Sequence, residues 1–213
     1  MKRPSILVVV AALTLFALPS FAEDKPAAPP APPVRIRALV MKFDNNMLTV
    51  KTEKEEDATI AVTPNTRISG LEKRKLADIK ANDFVGITAM TGKEGKMNAT
   101  EVHIFPEQMR GAGEGHYPWD KGPDSTMTNA AVNGMVNKAD GMVFTLGYKN
   151  RDGTFGTSEI EITPNIPIVT FVPGDAGLLK AGAHIVTFAA KAPDGSLTAL
   201  AIIAEKDGVR PPM

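Results

Sequence analysis

The sequence has 213 residues, with 24 basic and 24 acidic side chains and a formal net charge of zero at pH 7. A neutral chain has no electrostatic attraction for polyanions, which argues against nucleic acid as a partner. The sequence contains no Cys, so the fold uses no disulfide and must be stabilised by hydrophobic cores.

The N-terminus has the pattern of a signal peptide. The basic start Met1–Arg3 is followed by the apolar run Ile6–Leu18 and by Ser20 and Ala22, small residues that a signal peptidase accepts. The apolar run is too short to span a bilayer, which needs roughly 20 residues. We therefore predict a signal peptide over residues 1–22, cleavage after Ala22, export to the periplasm and a mature chain without a transmembrane span.

Residues 23–33 are dominated by Pro, Ala and charged side chains. Pro lacks the N–H that helices and strand ladders need, so this composition favours an extended spacer. We predict a disordered leader between the signal peptide and the first folded element. At the other end of the chain, we predict that residues 207–213 form a tail.

The rest of the chain carries the same module twice. Residues Thr63–Val102 align with Thr163–Ile202 at a constant offset of one hundred and without a gap. We therefore predict two repeats, over residues 34–105 and 130–206, each large enough to form a small core. The second repeat has four extra residues, which we place in a hairpin tip around Asn150–Gly156.

Hydrophobic alternation and turn residues predict five strands in each repeat. In the first repeat they are Val34–Val40, Met47–Lys51, Thr59–Val62, Phe84–Ala89 and Ala99–Phe105, with one helical turn at Leu76–Ile79. In the second they are Val132–Val136, Val143–Tyr148, Ser158–Ile162, Ile185–Ala190 and Leu197–Ala204, with a short turn near Leu178.

Three strands, a helical turn and two more strands is the element order of an OB-type barrel. An SH3-like barrel of five strands would give a similar hydrophobic pattern. We therefore predict an all-β chain of two tandem five-stranded OB-like or SH3-like barrels, joined by a long ordered linker.

OB-type barrels bind ligands on the face of strands two and three and on the adjoining loops. In the first repeat this face contains Thr49, Lys51, Thr59 and Ala61, flanked by the loops 44–46 and 91–96. It has no aromatic platform on which nucleic acid bases could stack, which again argues against that class of partner.

Residues 106–129, which we call the central segment, have no counterpart in the other repeat. They contain the only Trp, one of two Tyr and one of three His in the chain, and they are long for a connection within a domain. We expect the aromatic rings to pack between the barrels, with His116 and Asp120 paired to backbone groups. The candidate ligand or inter-barrel contact residues are Arg110, Glu114, His116, Tyr117, Trp119 and Asp120.

A metal site is the alternative interpretation of the central segment. Its ligands would be His116, Glu114 and Asp120, with help from His103, Glu107 or Met109. Imidazole and carboxylate ligands suit a divalent transition metal. Such a site needs three or four convergent ligands, and the spacing here is not that of a known site.

Three motifs resemble those of a bacterial family of exported proteins of unknown function, which are built from tandem small OB-like β-barrel repeats. The motifs are LADIKANDFVG at Leu76–Gly86, EVHIFPE at Glu101–Glu107 and GEGHYPWD at Gly113–Asp120. The resemblance spans nearly all of the mature chain and implies a two-barrel periplasmic protein, not a reaction. Some members carry a metal-transporter permease label, which does not suit a chain without a membrane span.

No pattern in the sequence predicts catalysis. Ser125 lies in no Gly-x-Ser-x-Gly elbow, and the acidic run at residues 53–57 is typical of a solvated hairpin tip. We therefore predict a non-enzymatic periplasmic binding or scaffolding protein without a cofactor, whose partner is an envelope protein, a peptide or a glycan. The alternative prediction is a periplasmic metal-binding protein.

Overall fold

Strands make up most of the chain. The computed structural model describes residues 31–92 and 95–212, and the predicted signal peptide and most of the predicted leader lie outside them. Within those ranges there are thirteen strands and no α-helix. Single 3-10 turns are at Leu76–Asp78, Glu107–Met109 and Ala176–Leu178. The strands are β1 (Val34–Asp44), β2 (Met47–Thr52), β3 (Asp57–Ala61), β4 (Arg67–Lys73), β5 (Phe84–Thr91), β6 (Met97–Ile104), β7 (Gly115–Pro118), β8 (Ser125–Lys138), β9 (Gly141–Lys149), β10 (Phe155–Ile162), β11 (Ile168–Pro173), β12 (His184–Lys191) and β13 (Leu197–Ala204). The prediction of an all-β chain is confirmed.

Five strands close into a barrel, which we call the first ring. β1 pairs with β2, β2 with β3, β3 with β13, β13 with β12, and β12 again with β1. A second circuit of pairing joins β8, β9, β10, β6 and β5, and we call it the second ring. In each ring one pair is parallel, β3 with β13 and β10 with β6, and the others are antiparallel. The prediction of a closed five-stranded barrel is confirmed.

Each ring takes strands from both repeats. The first ring combines β1, β2 and β3 of the first repeat with β12 and β13 of the second, and the second ring has the reverse combination. The prediction of two tandem barrels, each built from one repeat, is therefore not confirmed. The strands are exchanged within one compact unit of the chain.

The exchange depends on β4 and β11, which the sequence analysis did not predict. β4 pairs with β13 of the first ring and with β11, and β11 pairs with β6 of the second ring. The seven residues of β4 carry the chain roughly 23 Å at the usual rise of a strand. The chain that leaves β3 in the first ring therefore reaches β5 in the second ring instead of turning back.

Neither of these two strands shows a regular alternation of buried and exposed residues. β4 has Gly70 at its centre and charged residues at both ends, so it resembles a loop. β11 is buried on both faces over Ile168–Phe171, and strands of this kind show a continuous apolar run. Periodicity therefore gives no signal for either strand.

Three hydrophobic clusters fill the structure. The interior of each ring holds one cluster, and the third combines residues of β4 and β11 with residues of β12 and β13. Half-buried Phe105 and Phe188 pack against this third cluster. We call it the inter-ring core, and its buried members are Leu71, Val169, Phe171, Val186 and Ile203.

Two polar side chains of β6 are buried beside the inter-ring core. Glu101 is 3% exposed and His103 is 1% exposed, and the His103 ring stacks on Phe171 with centroids 5.4 Å apart. Neither ring nitrogen of His103 has a hydrogen-bond partner among the described residues. Burial lowers the pKa of His103 to about 4. The matching positions of the second repeat are the apolar Ala201 and Ile203, so this polar patch belongs to the first repeat only.

Replacing His103 by the residue at the matching position, in His103→Ile, should stabilise the protein. A buried polar group without a partner costs about 1–3 kcal/mol, and an apolar side chain avoids that cost. We expect the free energy of unfolding at pH 7, measured by urea denaturation, to rise by about 1 kcal/mol or more.

The same variant should lose an acid-dependent step in stability. The unfolded His103 has a pKa near 6.5 and the folded one a pKa of about 4, so the unfolded state binds more protons between these values. The wild type should lose stability as the pH falls from 6.5 towards 4, by about 3 kcal/mol in total. A His103→Ile variant with the wild-type loss over this range would contradict this assignment.

Candidate functional site

The central segment begins and ends on the second ring and contacts the first ring in between. After β6 it forms the turn Glu107–Met109 and then β7, which pairs with β8 from Gly115 opposite Asn129 to Pro118 opposite Thr126. The last residues of the predicted segment, from Ser125 onward, belong to β8. Between β7 and β8 the chain turns and reaches β1 of the first ring.

Asp120 fastens the central segment to β1. Its two carboxylate oxygens accept hydrogen bonds from Arg37 Nη1 at 2.8 Å and Arg37 Nη2 at 2.7 Å, and Arg35 Nη2 lies 2.6 Å from Oδ2. A bidentate arginine pair is among the stronger and more directional polar contacts in proteins. The hydrogen bonds from Arg37 and Arg35 lower the pKa of Asp120 well below its usual range. The Arg35 guanidinium also lies 3.6 Å from the centroid of the Trp119 ring, in a cation–π contact.

Glu101 belongs to the same charged cluster. It accepts a hydrogen bond of 2.5 Å from Thr88 Oγ1. Burial raises the pKa of Glu101, while the Thr88 hydrogen bond and the charges of Lys121, Arg37 and Arg35 oppose this shift. Positive charges from β1 therefore interact with carboxylates of the central segment and of β6, which links the two rings electrostatically.

The start of β7 is fastened from the second ring. Asn129 Nδ2 donates to the carbonyl oxygens of Ala112 at 3.1 Å and Gly113 at 3.2 Å. Glu114 Oε1 accepts a hydrogen bond of 3.0 Å from the backbone N–H of Lys149. Both ends of β7 are thus held in place by side-chain contacts.

The six predicted site residues separate into groups. Trp119 and Asp120 contact Arg35 and Arg37 of β1. Glu114, His116 and Tyr117 lie beside an open groove. Arg110 lies apart from both groups and binds the Glu107 carboxylate at 2.7 and 2.8 Å and Asn82 O at 3.0 Å.

The expected backbone partners of His116 and Asp120 are wrong. His116 Nδ1 lies 2.8 Å from the Thr128 hydroxyl, its ring stacks on Tyr148 at 5.8 Å, and burial lowers its pKa. Asp120 binds two arginines. Side chains were the better partners in both cases because β8 brings the Thr128 hydroxyl to His116 and β1 brings two guanidinium groups to Asp120, which sequence spacing does not reveal.

The proposed metal ligands do not converge. Glu114 accepts from a backbone N–H, His116 contacts Thr128, and Asp120 is occupied by two guanidinium groups. Of the proposed helpers, His103 is buried in the protein and Glu107 binds Arg110. Across residues 31–92 and 95–212, no three His, Asp or Glu side chains gather in a way that could hold a metal ion.

An open groove of about 590 Å³ lies beside β7. One wall is Glu114 with β7 itself, and the other is Asn150–Asp152, the tip of the β9–β10 hairpin. The Arg151 guanidinium lies 5.9 Å from the centroid of the Tyr117 ring. The tip is held by its own turn, in which Asp152 Oδ1 accepts from Thr154 N at 2.9 Å and from Thr154 Oγ1 at 2.7 Å. We call this feature the β7 groove.

A smaller groove of about 270 Å³ lies on the first ring. Its lining includes Lys51, which the sequence analysis placed on the predicted ligand face, and Pro211 of the predicted tail. The other residues of that face, Thr49 with Thr59 and Ala61, lie on β2 and β3. The predicted face therefore contributes little to either groove.

Asn150, Arg151 and Asp152 are the groove residues that sequence reasoning missed. They lie where the sequence predicts a hairpin tip with extra residues, and turn chemistry accounts for an Asp-Gly pair there without any function. The one signal available was that this tip is longer than the tip at the matching place in the first repeat.

The comparisons with known proteins give no relative for this chain. No protein-family model matches it, and no curated protein or solved structure matches it significantly. Among the described residues, no helix has the length and apolar character required to cross a membrane.

Removing the charge of Asp120, in Asp120→Asn, should loosen the central segment. Arg35 and Arg37 would keep their charges in a largely buried setting without the carboxylate, which is the costly way to break an ion pair. Because Asp120 is 46% exposed, we expect a loss of only about 1–2 kcal/mol in the free energy of unfolding. Amide hydrogen exchange should become faster at residues 115–121.

Asp124→Asn is the matched control, since Asp124 is an exposed acid of the same segment and has no ion pair among the described residues. It should leave both the stability and the exchange rates near those of the wild type. The lowered pKa of Asp120 means that its contribution is present at neutral pH and is lost as the pH falls below about 4. Equal effects of the two substitutions would contradict the role assigned to Asp120.

Proposed function

We propose that this chain is a non-enzymatic binding protein of the bacterial periplasm and that it binds its ligand in the β7 groove. The observation that carries the proposal is the position of this groove between an edge strand, which is held by hydrogen bonds and by the ion pairs of Asp120, and a hairpin tip, which is held by hydrogen bonds. A preformed site loses little conformational entropy when a ligand binds. The signal-peptide pattern at the N-terminus supports the periplasmic location.

The groove lining suits a polar ligand with some apolar surface. Tyr117 offers an aromatic face, Arg151 a cation, and Asn150 and Asp152 further polar groups. Lining of this mixed kind recurs in sites that bind peptides or glycans, where aromatic rings supply contact area and polar groups supply orientation. A lipid ligand would need an apolar lining, which this groove does not have.

The groove lacks the arrangement of a hydrolase. Beside the groove, the Thr128 hydroxyl is the nucleophile candidate next to a base, and it lies 2.8 Å from His116 Nδ1. Thr128 is fully buried, so a substrate in the groove could not reach its oxygen. No carboxylate contacts His116 in the described part of the chain, so nothing there completes a catalytic triad. These features support a binding role.

A fluorescent label next to the groove tests the proposal. Since the chain has no Cys, Phe155→Cys creates a single labelling site beside the hairpin tip, at a position that is 84% exposed and does not line the groove. We expect saturable changes in the emission of an environment-sensitive dye when synthetic peptides or oligosaccharides are titrated into the labelled protein.

Val136→Cys provides the matched control. Val136 is also an exposed apolar residue, 62% accessible, and it lies towards the β8–β9 turn of the same ring, away from the groove residues. Its label should not respond to the ligands that change the emission at position 155. If no peptide or oligosaccharide gives a saturable response at position 155, the β7 groove is not a binding site of this kind.

A further inference from the structure

We infer that the β7 groove binds an extended peptide with acidic side chains, which adds to the open edge of β7 as a further strand. The inference rests on the proposed function and specifies its ligand class and its mode of binding. Strand addition is a common form of peptide recognition, in which backbone hydrogen bonds supply affinity and neighbouring side chains supply specificity.

β7 is the one strand of the described residues that has a neighbour on one side only. Every strand of the two rings pairs on both sides, and β4 and β11 pair with each other and with β13 and β6. β7 pairs with β8 alone. An unpaired edge presents backbone N–H and C=O groups that another strand can bind, and all four residues of β7 line the groove.

The register of β7 shows which backbone groups face the groove. The Trp119 N–H donates to Ser125 O at 2.8 Å, so these two residues form a hydrogen-bonded pair of the antiparallel ladder. Hydrogen-bonded and non-hydrogen-bonded pairs alternate along such a ladder. Tyr117 and Gly115 therefore also bond to β8, whereas the N–H and C=O of His116 and the C=O of Pro118 point away from β8. One donor and two acceptors are thus available to an added strand.

The groove lining carries two acidic side chains, Glu114 and Asp152, and one basic side chain, Arg151, and both acids already accept hydrogen bonds within the protein. The preference for an acidic peptide therefore rests on Arg151. Asp152 Oδ1 is occupied by Thr154, and Glu114 Oε1 accepts from Lys149 N. Arg151, by contrast, has no ion pair in the part of the chain that the structure describes, and its guanidinium lies against the Tyr117 ring at the groove. A carboxylate of the ligand is the group that would complete the coordination of Arg151.

The length of the site is also set by β7. Four residues extend about 13 Å at the usual rise of a strand. Pro118 has no N–H, so the pairing edge ends there on the donor side. The site therefore accepts a short extended segment and does not extend into a longer sheet. Arg151 would contact the side chains on one face of that segment.

The first experiment compares two substitutions at one position. The N–H of His116 makes no bond to β8, so His116→Pro removes the proposed donor without removing a ladder hydrogen bond. His116→Ala removes the side chain and keeps the N–H. With short peptides of alternating Thr and Glu as the probe and the dye at position 155 as the readout, we expect His116→Pro to bind about threefold to tenfold more weakly than His116→Ala.

The second experiment tests whether the groove prefers acidic peptides. It does not use His116→Pro, so it remains a test of the inference if that variant fails to fold. The unsubstituted groove should bind alternating Thr and Glu peptides more tightly than alternating Thr and Lys peptides, and Arg151→Glu should reverse this order. Lys54→Glu, at the tip of the β2–β3 hairpin of the first ring, is the matched control and should keep the wild-type order.

The outcomes separate the inference from the proposed function. If an oligosaccharide binds at position 155 and no peptide does, the groove is a binding site but the strand-addition inference is wrong. If peptides bind equally well to His116→Pro and His116→Ala, or without regard to charge, the inference is also overturned. If no probe binds, both the inference and the proposed function fail.

Discussion

The antiparallel pairing of β4 with β11 is the contact on which the rest of the structure depends. It runs from Val169 opposite Lys73 to Pro173 opposite Ser69, and it joins the two rings into one continuous sheet. Because β4 and β11 carry the chain from one ring to the other, neither ring can close with the strands of a single repeat. Leu71, Val169 and Phe171 of these two strands pack in the inter-ring core together with Val186 of β12 and Ile203 of β13. Closure of each ring and burial of the core between them are therefore one cooperative event.

The central segment is held by side chains from both rings. Arg37 lies opposite Val186 and Asn129 lies opposite Gly86, and positions 86 and 186 are equivalent in the two repeats. Arg37 and Asn129 thus occupy matching places on the two rings, and they hold opposite ends of β7 through Asp120 and through the carbonyls before the strand. Gly86 is needed for this contact, since a Cβ at that position would lie 2.6 Å from Asn129 Oδ1. The two matching positions thus carry different side chains, Arg37 and Asn129, and each side chain holds one end of the strand beside the groove.

Strands with one buried and one exposed face were predicted from their alternation, although β1 and β8 are several residues longer than predicted. Leu197–Ala204 was predicted with both ends correct, and Met47–Lys51 was one residue short. The site was predicted only in part. His116 and Tyr117 were found because such side chains are unusual in a linker, whereas Arg151 was hidden in an ordinary hairpin tip. Arg35 and Arg37 had the pattern of a solvated strand face, and only the approach of Asp120 and Trp119 buries them.

By itself the sequence determined the all-β class, the strands with alternating patterns and the unusual composition of the central segment. These are local properties, set by which side chains lie on each face of a strand and by which residues can form turns. Only the tertiary structure decided which strands close each ring, since a strand with a given pattern can pair equally well with the matching strand of either repeat. The same applies to the partners of Asp120 and His116 and to the open edge of β7. Those contacts join residues far apart in the chain, and they exist only after β4 and β11 have brought the two halves together.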